Sequence, residues 1–295
     1  MNPREQGFLL LSSCLGDPDR RPLSDAQLRL LTHRMELMKK GEDRDLRPED
    51  LMDLGYGQQM AQRIVSLLED VEPLQWYLQK AKTAQCVPLT RVSVGYPAIL
   101  RQRLGGESTG CLWAKGNVEL LRYRAISLVG SRELHPENEK FAAEVGAEAA
   151  EQGYVLVSGN ARGADRVAQN ACLENGGCVI SVVADSLETK TPNEQILYLS
   201  EDGFDLPFTP MRALRRNRVI HALGDKVMVA QAALQNGGSW DGTVRNLRFG
   251  WSSVYCYDDG SEVMQVLSQM GAELIGIEQL SDFESLPRRR NLFDE

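Results

Sequence analysis

Histidine, aromatic side chains and surplus positive charge are all scarce in this sequence. Only 3 of 295 residues are histidine, 6% are aromatic, and 33 Lys and Arg face 41 Asp and Glu, for a net charge of −8. A surface-wide attraction for polyanions is thereby excluded, so any nucleic-acid site must be local. The six cysteines (Cys14, Cys86, Cys111, Cys172, Cys178 and Cys256) form no Cys-x-x-Cys pair, and His33, His135 and His221 stand at no ligand spacing from them. That scatter predicts free thiols in a reducing cytoplasm and no metal site. No stretch approaches the roughly 20 apolar residues needed to cross a bilayer. Leu11-Ser12-Ser13-Cys14 imitates a lipoprotein processing site, but the run Phe8 to Leu11 is too short for a signal segment and Glu5 stands where a basic region belongs.

Several catalytic signatures are missing as well. No Gly-x-Gly-x-x-Gly follows a strand, no Walker loop occurs, and no serine sits in a Gly-x-Ser-x-Gly elbow. His135 falls near a strand end and reads as a solvated loop residue. The expectation is therefore a protein with no catalytic residues, no cofactor and no metal.

What is present is a globular composition: 42% apolar and 25% charged residues, with a mean hydropathy of −0.32. The length exceeds one typical domain. Up to about Lys82 the pattern is helical. Leu23-Ser24-Asp25 caps an amphipathic stretch from Ala26 to Met38, and Gly41 to Asp45 breaks it. Pro48 starts a second helix, Gly55-Tyr56-Gly57 ends it, Gln58 to Leu68 form a third, and a last helix runs from about Pro73 to Lys82. The Leu-Gly-Tyr-Gly turn between two helices suits either a helix-hairpin-helix DNA contact or plain packing.

From Ala125 the texture changes to short apolar runs alternating with helical patterns: 125–129, 154–157, 178–183, 226–229 and 253–257. Near-continuous apolar strands joined by helices predict a doubly wound, mostly parallel α/β sheet covered on both faces, with its ligand site at the carboxyl ends of the strands. There stand Gly130-Ser131-Arg132, then Ser158-Gly159-Asn160-Ala161-Arg162-Gly163, and after the strand at 226–229 the loop Gly237-Gly238-Ser239-Trp240-Asp241-Gly242-Thr243. Glycines let the backbone approach a ligand, helix N-termini favour anions, and arginine's planar fork suits phosphate oxygens. The alternative is that Arg132, Arg162 and the run Arg212 to Arg218 pair with carboxylates.

These residues resemble the DNA-processing protein A (DprA/Smf) family. The likeness begins at Tyr96-Pro97-Ala98-Ile99-Leu100 and continues through Leu112-Trp113-Ala114-Lys115-Gly116-Asn117 and Val129-Gly130-Ser131-Arg132. It then covers Ser158 to Asp165, Arg216-Asn217-Arg218-Val219-Ile220 and Gly238-Ser239, so that it spans about residues 90 to 275. The resemblance implies an extended Rossmann-like sheet at 91–280, preceded by a helix-hairpin-helix or SAM-like module at 1–90 and followed by a tail at 281–295. It also implies a cytoplasmic homodimer that binds single-stranded DNA without sequence preference, loads a RecA-type recombinase during natural transformation, and performs no catalysis.

Carried over by position, Gly130, Ser131, Arg132, Ser158, Gly159, Arg162, Gly163, Arg216, Asn217, Arg218, Gly238 and Ser239 would line a pocket for DNA phosphates, with Lys190 nearby. Trp240 is the expected stacking residue, while Trp76 and Trp113 are expected in the core. The chain departs from the family pattern where Gln169 replaces a histidine, Gln231 a glutamate and Thr191 a tyrosine, and where the last loop continues Trp240-Asp241-Gly242-Thr243. A nucleotide or nucleotide-signal binder of the same superfamily is the competing expectation. It would be a poor hydrolase, because Asn246 stands where such enzymes place a carboxylate base. The terminal Arg288-Arg289-Arg290-Asn291-Leu292-Phe293 suits a short docking motif or a frayed end.

Overall fold

The computed structural model describes residues 1–36 and 45–286. Five helices come first: α1 (Pro3–Ser12), α2 (Asp25–Glu36), α3 (Pro48–Asp53), α4 (Gln58–Glu69) and α5 (Val71–Thr83). The apolar run that imitates a signal segment lies in α1. Its capping box has Asn2 accepting from the Glu5 amide while Glu5 accepts from the Asn2 amide, and it buries Leu9, Leu10 and Leu11. Leu11 then joins Leu28, Leu31, Leu51 and Ile64 in the core of the helical module. The expected helix at 26–38, the break at 41–45 and the expected tail at 281–295 lie partly outside the described residues, the tail from residue 287 onward.

The remainder runs β1 (Val87–Thr90), α6 (Ala98–Leu104), β2 (Cys111–Gly116), β3 (Ala125–Val129), α7 (Pro136–Glu151), β4 (Val155–Ser158), α8 (Ala164–Glu174), β5 (Cys178–Val183), β6 (Ile196–Glu201), α9 (Pro210–Leu223), β7 (Lys226–Val229), α10 (Gly237–Phe249), β8 (Ser253–Tyr257), α11 (Glu262–Gln269) and β9 (Glu273–Ile275). The strands form one nine-stranded sheet in the order β1-β2-β6-β5-β4-β3-β7-β8-β9. From β6 to β9 all pairs are parallel, and β2 and β1 extend that sheet antiparallel at one margin.

Alternation along each strand supplies both faces. Ala125 and Val129 of β3 join one core with Val155, Val157, Val227 and Val229, whereas Ile126 and Leu128 join Leu156 and Met228 under α7 and α8. Helices α7 and α8 approach so closely that a Cβ on Gly146 would sit 2.1 Å from the Ala168 carbonyl oxygen.

The helical and sheet parts share residues. Strand β1 falls on the helical side of the expected boundary at residue 90 yet pairs with β2. Tyr77 of α5 meets Trp113 of β2 edge-on at 5.2 Å, and both pack on Phe204. At the other end, Phe283 and Leu286 of the expected tail are buried in the core under α7 and α8. Trp113 is fully buried as expected, but Trp76 is 64% exposed because it lies on the outer face of α5. No helix among the described residues is long and apolar enough to cross a membrane.

Candidate functional site

The chain winds outward from β3 through β4 and β5 to β6, then returns so that β7 lies on the other side of β3. Crossovers on either side of such a point leave a crevice beyond the strand ends, and the ligand sites of doubly wound sheets lie there. A cleft of about 710 Å³ occupies this position, walled by the turns after β3 and β7 and by one face of α9.

Close contacts between the turns shape its floor. Gly130 touches the next turn so tightly that a Cβ would lie 2.4 Å from that of Ala164. Gly163, at φ +86°, has no room for a side chain either, since a Cβ would lie 2.4 Å from the Ser131 oxygen. Ser239, at the start of α10, donates to the Gly130 carbonyl at 2.7 Å, and Asn217 donates to the Gly238 carbonyl at 2.9 Å. Ser131 donates to the Gln231 carbonyl at 3.3 Å. The Gln231 side chain accepts from the His135 amide at 3.0 Å and donates to the Glu133 carbonyl at 3.2 Å. An ionised glutamate there would have no proton for the second bond.

Arg216 supplies the charge at the bottom of the cleft. Its side chain is 91% buried by fold but lines the cleft, and it lies against Gly159, where a Cβ would fall 1.6 Å from its Nη1. It makes no ion pair within 4 Å among the described residues, and its Nε has no hydrogen-bond partner. Burial lowers its pKa, opposed by the fields of Asp165 and Asp185. Arg132, exposed at the rim, likewise pairs with no carboxylate among the described residues. The opposite wall is apolar, with Phe208 52% exposed beside Leu214 and Ile220.

Of the thirteen residues singled out by sequence, the cleft brings together Gly130, Ser131, Arg132, Arg216, Asn217, Gly238 and Ser239. The others do not line it. Ser158 is fully buried and accepts from Gln169, which also donates to Ser181 at 3.0 Å, so the replacement of the family's histidine is an interior change. The amides of Gly159 and Ala161 are not bare, because both donate to Asp165 Oδ2 at 3.1 Å. Burial pushes the Asp165 carboxyl upward, against the pull of Arg216 and these amides.

Arg162 forms an exposed pair with Glu133 at 2.9 Å, and Lys190 pairs with Asp185 at 2.6 Å. Arg218 faces the other side of α9, bonded to Glu201 at 2.7 Å and to Asp25 at 3.2 Å. Trp240 is half-buried against the sheet core and does not reach the cleft, so Phe208, which sequence reading missed, holds the place expected for it. The segment Leu206-Pro207-Phe208-Thr209-Pro210 was the available signal: an aromatic residue between two prolines directly before a helix.

His221 and Asn246 lie behind the cleft in a buried pair. Asn246 accepts from the Ser252 amide at 3.0 Å, which turns its Nδ2 toward His221 Nδ1 at 3.2 Å. Nδ1 therefore accepts, and the ring proton falls on Nε2, which has no hydrogen-bond partner among the described residues. Burial takes the His221 pKa down to about 3.

The fold and its cleft define a Rossmann-like α/β protein whose switch point carries a buried guanidinium with no ion pair among the described residues. The chain belongs to the DNA recombination-mediator protein A family, whose model matches residues 88–247. It is 34% identical over 136 residues to DNA processing protein DprA of Streptococcus pneumoniae, covering 43% of this chain and 48% of that protein. It is 31% identical over 139 residues to protein Smf of Escherichia coli, covering 43% and 37%. The matched part thus spans half or less of these relatives' length. The solved structure of Streptococcus pneumoniae DNA processing protein A overlays with a TM-score of 0.72 at 25% identity, covering 95% of this chain and 96% of that one. That of DNA processing protein A from Helicobacter pylori, described for its single-stranded DNA binding mode, overlays at 0.56 with 24% identity over 67% and 94%.

Proposed function

We propose that this protein binds single-stranded DNA at the switch-point cleft, without catalysis. The observation that carries the reading is Arg216, a buried guanidinium that makes no ion pair within 4 Å among the described residues and that opens onto the cleft beside Arg132. Burying a charge without a direct ion pair is costly, and an arriving phosphate would supply a directly bonded counter-ion. The apolar wall of Phe208 and Leu214 offers bases a stacking surface, which is tolerant of sequence because every base has a π face. The relative from Helicobacter pylori, described for its single-stranded DNA binding mode, supports the same reading.

Within the family's mediator role, the bound strand is handed to a RecA-type recombinase, and the protein works as a homodimer in the cytoplasm. A mononucleotide is the competing ligand, because the cleft volume suits one small molecule. Hydrolysis is disfavoured, since the Asp165 carboxylate is engaged by two amides and Asn246 by His221 and Ser252.

Fluorescence anisotropy with labelled oligothymidine, run beside a nucleotide panel, tests this. The oligomer is expected to bind with an affinity that falls steeply with salt. Arg132→Ala should weaken it by about 1–3 kcal/mol, the range for charge-assisted hydrogen bonds. Undiminished binding by that variant, or binding of nucleotides alone, would refute the reading.

A further inference from the structure

A second cluster of arginines without an ion pair among the described residues lies away from the cleft, on the seam between the helical module and the sheet. A cavity of about 420 Å³ is bounded there by Arg4 of α1, by Arg29 and His33 of α2, by Arg91 after β1 and by Arg101 of α6; Glu36 is the carboxylate in its lining. Other arginines of this chain, which has a net charge of −8, pair directly with carboxylates, as Arg20, Arg215, Arg218 and Arg245 do. None of the four seam arginines makes an ion pair within 4 Å among the described residues, although all four border one cavity.

Three of the four are also held in place. Arg91 donates to the Gly105 carbonyl at 2.9 Å, and Arg101 donates to the Arg91 carbonyl at 2.9 Å with its guanidinium 5.8 Å from the Tyr96 ring centre. Arg29 lies over Gly106, where a Cβ would fall 2.3 Å from its Nη1. Each bond engages one or two of five guanidinium donors, so the remaining N–H groups stay available. Four like charges gathered around one cavity, with Glu36 as the carboxylate in its lining, repel one another, and a polyanion would relieve that repulsion.

The geometry points to this seam as a second phosphate-binding site, taking the sugar-phosphate backbone of the same strand that occupies the cleft. The inference rests on the DNA-binding reading above. The two sites are linked through α2 and α9. Asp25 at the start of α2 holds Arg215 and Arg218 of α9, which carries Arg216 into the cleft. Arg29 and His33 follow Asp25 on the same face at one and two turns, roughly 6 and 12 Å along the helix by its rise per residue. A strand long enough to pass around α9 engages both sites, whereas a short one fills the cleft alone.

The test compares a short labelled oligothymidine with one several times longer, on the full chain and on the double variant Arg4→Ala/Arg29→Ala. Both side chains are exposed, so the variant should keep the wild-type melting temperature. The unmodified protein should bind the longer oligomer more tightly. The double variant should bind it about tenfold more weakly, as expected when charge-assisted contacts are lost, while its affinity for the short oligomer stays unchanged. Its plot of log affinity against log salt should flatten by about 1.4, two phosphate contacts at about 0.7 each for single strands. Arg4→Lys/Arg29→Lys should restore most of the binding.

A double variant that binds the long oligomer with wild-type affinity and wild-type salt slope overturns the seam site, whatever the cleft does. If instead the seam variant weakens the long oligomer while Arg132→Ala leaves the short one bound as before, the cleft reading fails and the seam site stands. Absence of binding by the unmodified protein to either oligomer overturns both.

Discussion

Two arginines two positions apart on α9 have opposite fates, and the contrast can be measured. Residues i and i+2 point about 200° apart around a helix, so Arg216 opens onto the cleft while Arg218 turns inward to Glu201 and Asp25. Removing Arg218 strands the buried Glu201 carboxylate. Arg218→Ala should therefore lose about 3–5 kcal/mol in urea unfolding, the cost of breaking a buried pair. Arg216 makes no ion pair within 4 Å among the described residues, though its field supports the buried Asp165 carboxyl, so Arg216→Met should cost less stability than Arg218→Ala while oligothymidine binding is lost. Sequence inspection placed both arginines in the pocket, because a motif on a helix names residues without saying which face each one takes. Ser158 eluded it likewise, since a strand-end side chain can turn into the sheet instead of toward its mouth. His221 yields a further prediction. Its folded pKa of about 3 lies below its unfolded value, so the unfolded chain binds the extra proton and stability falls as pH drops from about 6.5 toward 3. The slope from this one group is at most about 1.4 kcal/mol per pH unit. His221→Gln should flatten the acid limb of a stability-versus-pH curve relative to wild type, and an unchanged limb would show that the ring titrates normally.

Among the secondary-structure elements, the contact of α7 with α8 decides between two opposing effects of one methyl group. Alanine at a helix interior gains up to about 1 kcal/mol over glycine by propensity. At Gly146 its Cβ would strike the Ala168 backbone oxygen at 2.1 Å, and backbone cannot swing away as a side chain can. The clash wins. Gly146→Ala should cost about 1–3 kcal/mol net, as overpacking does, and should lower the melting temperature in a calorimetric scan. The interior strands were legible for the same reason that they are buried. Runs at 125–129, 178–183, 226–229 and 253–257 coincide with β3, β5, β7 and β8, and the run at 154–157 is shifted by one residue from β4. Strands β1, β2, β6 and β9 escaped notice. Pro88 in β1 suits only a marginal strand, Lys115 interrupts β2, and β9 is three residues long, so none of these three presents a continuous apolar run. Helix α1 escaped too, because its apolar run was weighed only as a possible signal segment.

On the scale of the whole molecule, the outline of a helical part followed by a parallel sheet was visible in the sequence, and the way the two are joined was not. Joining depends on contacts far apart in the chain, such as Tyr77 with Phe204 and Asp25 with Arg218, and no local pattern announces them. The aromatic trio of Tyr77, Trp113 and Phe204 draws its members from both parts, and β1 gives the sheet its outermost rung from within the first ninety residues. The consequence is cooperative: neither part can melt while the other keeps its shape. Far-ultraviolet circular dichroism and tryptophan fluorescence should trace superimposable denaturation curves, and two separated midpoints would disprove it. Excising the helical part together with β1 would bare the Trp113 indole and leave β2 as an uncovered edge strand, turning an independent-looking unit into a sticky remnant.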